Sequence, residues 1–432
     1  HGRVVVLHAS CNILVRKEGM RRLLLLTETW PPAWSGGVQR PLKFVRHLRA
    51  FGFETTVLAP EIYPGTRLDP SLLEQVDGIA CHRVPVMRSW LDRLPGTARR
   101  MAKGLARRPA PLPDGLQPSL GAFMARARAL HHATPFDAVF STSPPHSLAL
   151  LGASVKADLG LPWIADFRDE WSRNRLRTSG MSPALRSKDR RLETQAFGAA
   201  DLIVTTTDTM RSFVIASGAM PDRVVTIPNG FDEEDLPPPS EHVYGERLVM
   251  TYLGTLSSYR NLDPLLEAAR TLRREIPEFP FLFRFITPGG RARRFVRGYE
   301  DLVRDGIVRL DEALPHREGL VQAKKADALL HVLSGATAED EPVAGKLFEY
   351  LALERPILFV TSVRGENARI LAETETGITV DLNDVSAIRD ALRDLHRKWI
   401  DHALTVRPRG LEQYSRKRLA ERLARELEVV LR

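Results

Sequence analysis

The chain has 432 residues, too many for one ordinary hydrophobic core, so two domains are expected. Apolar residues make up 43% and charged residues 27%, which excludes a disordered chain, and no run approaches the roughly 18 uninterrupted apolar residues of a membrane span. The formal charge of +9 suits an anionic partner, whether phosphorylated small molecule, anionic lipid or nucleic acid, and two cysteines, Cys11 and Cys81, make no disulfide framework and fit a reducing compartment.

Residues 1–19 contain an apolar run, VVVLHA, without the order of a cleavable signal, and read as an upstream extension or tag, with Met20 as the start of the native chain. From Arg22 the pattern is regular. RLLLLTE has the length of a buried strand, SGGVQRPLKFVRHLRAFG reads as a turn and a helix with Val38, Leu42, Val45 and Leu48 at helical spacing, and FETTVLAP is the next strand. Pro41 falls in the first helical turn, where an N–H has no partner to lose, and Gly52 suits the helix end. This βαβ unit recurs through FDAVFSTS, PHSLALLGASVKADLG, LPWIADF, ETQAFGAADLIVTTT and DRVVTIPNG. The proline and acidic residues of FDEEDLPPPSEH form a linker. A second series runs from RLVMTYLGT through LDPLLEAARTLRRE, FLFRFITPGG, KKADALLHVLSG, EPVAGKLFEYLALERPILFV and TGITVDLND. Two doubly wound α/β domains facing a central cleft follow, over residues 20–240 and 241–410. In the tail, Leu419, Leu423, Leu427 and Val430 share one helical face, so a helix within 411–432 is expected to pack back on the first domain.

Residues 88–108, RSWLDRLPGTARRMAKGLARR, hold seven basic residues and one acidic residue, interleaved with Trp90, Leu91, Leu94, Met101 and Leu105. The pattern fits a surface meeting anionic membrane slightly better than a solvated helical face over core residues, with Pro95 and Gly96 interrupting the helix.

Ligands of open α/β sheets bind beyond the carboxyl ends of the strands, and four turns qualify. Gly36 and Gly37 would let the backbone approach an anion at a helix start. Asp166, Arg168 and Asp169, at the end of the strand in ADFRDEW, would bind sugar hydroxyls and an anion, or would pair with one another to close the loop. His146, at a helix start, would face the cleft or serve as a structural hydrogen-bonder. Gly254 and Thr255 end a strand, and Arg260 follows in the loop as a cation for phosphate. Finally, Glu341 and Glu349 bracket Gly345, Lys346 and Leu347 at the start of a helix expected to run to Leu353. A carboxylate pair could do general acid–base work, but a helix N-terminus with a lysine beside it fits a diphosphate, and a carboxylate one turn on fits a diol.

Together these residues resemble the family 4 glycosyltransferases of GT-B fold, over nearly the whole chain from Met20. The acidic motif Glu341-x7-Glu349 with YLALERPILF, the glycine loop SGGVQR, the turn VVTIPNGFDEEDL with Asn229, and LGTLSSYRNLDPLLEA carry the likeness; TSPPHSLALLG and LPWIADFRDEW resemble a bacterial subgroup acting on surface polysaccharides. The resemblance implies a nucleoside-diphosphate sugar in the second domain, with Arg260 and the backbone of Gly345, Lys346 and Leu347 on the diphosphate, Glu349 on the ribose, Glu341 facing the sugar, and Gly37 approaching the phosphates. Many members carry a histidine where this chain has Arg168, and an arginine or similar group where it has Thr255. The implied activity is retaining transfer to a glycan or lipid-linked acceptor. The sequence shows no metal-ligand cluster and its cationic groups make a metal unnecessary, so no metal or other cofactor is expected; a cytoplasmic place is expected, at the inner face of the membrane where residues 88–108 meet lipid. A nucleotide-sugar epimerase and an inactive nucleotide- or glycan-binding subunit are the alternatives; no nucleic-acid motif accompanies the basic residues.

Overall fold

A computed structural model of the chain describes residues 19–63, 65–86, 111–256, 260–276, 278–333, 343 and 345–432. The basic stretch 88–108 and Glu341 lie outside these described residues.

The first sheet holds β1 (Arg21–Leu26), β2 (Phe53–Pro60), β3 (Cys81–Val84), β4 (Ala138–Ser143), β5 (Trp163–Phe167), β6 (Leu202–Thr205) and β7 (Val224–Thr226). Their spatial order is β3-β2-β1-β4-β5-β6-β7, and every pairing is parallel. Parallel strands covered by helices on both faces are apolar throughout, which is why Leu23 to Leu26 are all 0% exposed. The second sheet holds β8 (Leu248–Leu253), β9 (Phe281–Ile286), β10 (Val308–Asp311), β11 (Ala328–Val332), β12 (Ile357–Thr361) and β13 (Gly377–Asp381), in the order β10-β9-β8-β11-β12-β13, again all parallel. Strand order reverses between β1 and β4 and between β8 and β11, and these switch points open crevices at the carboxyl ends of the strands.

The longer helices are α1 (Gln39–Leu48), α2 (Leu120–Ala133), α3 (Ser147–Leu159), α4 (Pro183–Ala199), α5 (Asp208–Ala216), α6 (Asp263–Glu275), α7 (His316–Lys324), α8 (Gly345–Ala352), α9 (Glu366–Thr374), α10 (Val385–Ile400) and α11 (Arg416–Val430). Local chemistry sets several of their starts. Ser182 and Thr207 cap α4 and α5 by accepting from the Leu185 and Met210 N–H groups, and Pro183 occupies the first turn of α4. A short 3₁₀ turn over Arg49–Phe51 follows α1 and ends at Gly52, whose φ of +83° favours glycine.

The last helix returns to the first sheet. Leu419, Leu423 and Leu427 are fully buried in one cluster with Leu23, Leu25, Leu42 and Leu48, so α11 lies against α1. The crossing is stitched by backbone. The Phe231 N–H donates to Tyr414 O at 3.1 Å, and the Arg416 N–H donates to Phe231 O at 2.8 Å. Gly230 permits this contact, because a Cβ there would stand 2.1 Å from Tyr414 O. Among the described residues no helix is long and apolar enough to cross a membrane.

Candidate active site

Helix α8 brings Lys346 into its first turn and Glu349 three residues on, on the same face. The Lys346 ammonium is drawn inward: Nζ donates to Leu253 O at 2.7 Å and to the Tyr252 hydroxyl at 2.9 Å, and lies 4.0 Å from the centre of the Tyr252 ring. Burial drives its pKa well below the usual lysine value, with Arg260 adding to the effect and Glu349 opposing it. Gly254 follows β8 with φ at +112°, and a Cβ there would lie 2.8 Å from Nζ, so the glycine serves both the turn and the lysine. The Arg260 guanidinium donates to Val332 O at the end of β11 and lies 5.8 Å from the Tyr252 ring centre. Tyr252 O–H donates to Thr255 O at 3.0 Å. Gly345 is exposed with open space where a side chain would go, while the Leu347 side chain is 0% exposed and belongs to the core.

Glu349 has one oxygen held: Oε1 lies 2.7 Å from His316 Nε2, at the start of α7. No hydrogen bond to Oε2 occurs among the described residues, which leaves it open as an acceptor. His316 also ties the two halves, because its backbone N–H donates to Asp69 Oδ2 at 3.1 Å, and beside it Arg67 donates to Leu314 O at 3.2 Å. Burial lowers the His316 pKa, but the Glu349 charge and hydrogen bond, with Asp235 adding, more than offset it, and the net shift is upward.

On the first-sheet side Asp166 and Arg168 do not pair with each other. Asp166 is buried, takes the Arg40 guanidinium on Oδ1 at 2.8 and 3.0 Å, and accepts from Thr142 Oγ1 at 2.7 Å. Arg40 then donates to Ile227 O at 2.9 Å and Pro228 O at 2.8 Å, fixing the turn that carries half-buried Asn229. Arg168 donates to Gly37 O at 2.8 Å, Pro144 O at 2.6 Å and Ser143 O at 3.1 Å. A Cβ on Gly37 would stand 2.2 Å from Arg168 Nη1, so what this glycine admits is the guanidinium; Gly36 has open space at the same point.

Asp169 is open to solvent yet crowded by protein, and that desolvation raises its pKa, Arg168 opposing and Asp166 adding. Glu28, just past β1, is in the same situation, with Arg168 opposing the rise and Asp114 adding to it. His146 is placed differently from the cleft-facing expectation: it is 2% exposed and stacks on Trp171 with centroids 4.8 Å apart, and burial keeps the imidazole neutral. Among the described residues no group of three or more His, Cys, Asp or Glu side chains converges as a metal site would require.

Arg40, His316 and Glu28 escaped the sequence reading. Cations at positions 40, 43 and 47, spaced three and four residues apart on one helical face, were the available signal for Arg40, and Pro315 with Glu318 in the first turn was the signal for α7. The raised His316 pKa has a sign that can be checked. Stability from the His316–Glu349 pair is fully present below the unfolded histidine pKa of about 6.5 and is lost as pH rises through the higher folded value. In denaturant titrations, the stability advantage of wild type over His316→Gln is therefore expected to be flat below about pH 6 and to shrink steadily above neutrality. An advantage that grows with pH would contradict the assigned pair.

Residues 35–230 match the family described as Glycosyl transferase 4-like domain. No curated protein sequence matches the chain. Among solved structures, the sucrose-phosphate synthase of Thermosynechococcus elongatus is 13% identical with a TM-score of 0.68, covering 95% of this chain and 98% of its own. HepE of Anabaena, in complex with UDP and glucose, is 13% identical with a TM-score of 0.63 over 95% of this chain and 100% of its own. A putative UDP-N-acetylglucosamine 2-epimerase of Listeria monocytogenes is 13% identical with a TM-score of 0.57 over 95% and 96%. At these identities the likeness establishes the fold, two facing Rossmann-like domains, which hosts both transfer and epimerisation. Residues 35–230 thus match a glycosyl transferase 4-like domain, and the chain as a whole has the two-domain GT-B fold.

Proposed function

We propose that the protein transfers a sugar from a nucleoside-diphosphate sugar to a glycan or lipid-linked acceptor, with retention of configuration, in polysaccharide or glycoconjugate biosynthesis. The observation that carries the reading is the pairing on α8 of Lys346, beside Arg260, with Glu349, whose Oε1 is held by His316. First-turn N–H groups at Gly345, Lys346 and Leu347 have no intrahelical acceptor and suit a diphosphate, to which Lys346 and Arg260 add charge. Glu349 Oε2 then accepts from a ribose hydroxyl, and Glu341 is assigned to the sugar on the family resemblance.

As the bond from the anomeric carbon to the diphosphate breaks, negative charge grows on the leaving oxygens, where these cations stabilise it. The acceptor hydroxyl oxygen attacks the anomeric carbon on the same face and gives its proton to a leaving diphosphate oxygen. No metal or other cofactor is invoked. Asp169, with its raised pKa, is proposed to accept from a second, non-reacting hydroxyl of the acceptor. Asp166 and Arg168 act as positioning groups, the first through Arg40 and the Asn229 turn, the second through the Gly36–Gly37 loop, and His146 supports the wall behind them.

The complexes of HepE with UDP and with UDP-glucose put UDP first in a panel with GDP, ADP and TDP. One of these is expected to raise the melting temperature, a stabilisation of about 2.7 kcal/mol at a hundredfold excess over Kd. Glu349→Ala and Lys346→Ala are expected to lose that response. Indifference of the wild type to all four would remove the donor-site reading. Turnover of the donor without acceptor would favour the epimerase that the Listeria likeness allows, and binding without turnover would favour the inactive subunit. We assign the enzyme to the cytoplasmic face of the membrane, with the basic stretch 88–108 meeting anionic lipid. Cosedimentation with anionic vesicles should fall when 99–108 lose their charge; equal cosedimentation would remove that contact.

A further inference from the structure

Arg416 opens α11 and is 5% exposed, yet its guanidinium makes no hydrogen bond or ion pair among the described residues, and its Nη1 is closed off from solvent. Three carboxylates lie within electrostatic reach: Glu349, Asp232 and Asp166. Each already holds its own cation. Glu349 takes His316 at 2.7 Å, Asp232 takes His47 at 2.8 Å and Lys43 at 3.1 Å, and Asp166 takes Arg40 at 2.8 Å. Arg40 is in reach as well and repels Arg416, and burial with that repulsion pulls the Arg416 pKa down to about 10, so it stays charged at neutral pH. A buried guanidinium without a partner is costly, and the cost is removed when an anion joins it.

The placement suits a ligand. The Arg416 N–H donates to Phe231 O, which fixes the residue beside the Asn229–Gly230 turn, with Glu349 of α8 also in reach. Ser415, the residue before α11, makes no side-chain cap, so the positive end of a 15-residue helix adds to the guanidinium. A planar guanidinium offers two parallel N–H donors to a tetrahedral oxyanion.

We propose that Arg416 and the first turn of α11 form a second oxyanion site, which takes a phosphate group of a ligand bound beside Glu349. The site does not depend on sugar transfer: a protein that only bound nucleotides or glycans would use it equally. The phosphate belongs either to the acceptor or to the diphosphate of the donor, and the two sources separate on a variant of Lys346.

The test is calorimetric titration of the full chain with inorganic phosphate in chloride buffer, for wild type, R416M and K346A. The free R416M protein should melt no lower than wild type, since the charge removed had no partner among the described residues. Phosphate affinity should fall roughly tenfold or more in R416M. Retained affinity in K346A assigns the site to an acceptor phosphate, and loss in both variants assigns it to the donor diphosphate; both outcomes support the oxyanion site. Should R416M not fold, R416K keeps the charge without the two-pronged geometry and should bind phosphate more weakly. Wild type that ignores phosphate at millimolar concentration, or a folded Arg416 variant that binds it as wild type does, overturns the proposal.

Discussion

One face of α1 carries Arg40, Lys43 and His47, at spacings of three and four residues, and the fold is organised around the carboxylates they hold. Arg40 takes Asp166 of the first sheet, Lys43 takes Asp232 and Asp235 of the linker, and His47 takes Asp232. Lys43 is 1% exposed, so these are interior charges, and removing one partner of such a pair typically costs about 3–5 kcal/mol. Burial alone would raise the Asp232 pKa; the His47 hydrogen bond and the Lys43 charge overcome it and hold the carboxyl well below the usual range. Geometry is what these pairs supply. Asp235 also accepts from Arg317 of α7 at 3.0 Å, so the stripe on α1 reaches the helix that carries His316, and through His316 it reaches Glu349.

The same logic separates groups that hold from groups that bind. Asp166 and Arg168 are spent on protein partners, and the closeness of Gly37 to Arg168 shows a glycine conserving space for a side chain rather than for a ligand. Glu349 has an oxygen to spare, Asp169 and Glu28 face solvent within crowded surroundings, and Arg416 has no partner at all among the described residues. Asp169 and Glu28 both lie within electrostatic reach of Arg168, and Glu349 lies within reach of Arg416; a doubly wound fold places its ligands beyond the carboxyl ends of its strands.

Much of the fold was legible in the sequence, because buried parallel strands such as RLLLL, ILFVT and ALLHV are mostly apolar runs of the right length, and α11 shows its leucines at helical spacing. The edge strands β3 and β10 have only four residues each and mix charge with apolar side chains, so no period marks them. Helix α8 was legible because its chemistry is local: Lys346 and Glu349 are three residues apart. The rest of the site was not, since its pairings span the chain. Arg40 and Asp166 are 126 residues apart, and Arg168 and Gly37 are 131 apart, so a reading of ADFRDEW alone joins Asp166 to its neighbour Arg168 instead.

The central claim is that Glu349, oriented by His316, receives the ribose of a nucleoside diphosphate. It is tested most directly by a double-mutant cycle in binding: the nucleoside diphosphate against its 2′,3′-dideoxy analogue, each titrated into wild type and Glu349→Ala. The account predicts that removing the hydroxyls weakens binding to wild type roughly tenfold or more, the scale of a hydrogen bond to a charged group, and makes little further difference once Glu349 is gone. An equal penalty in both proteins would mean that Glu349 does not touch the ribose, and would contradict the account.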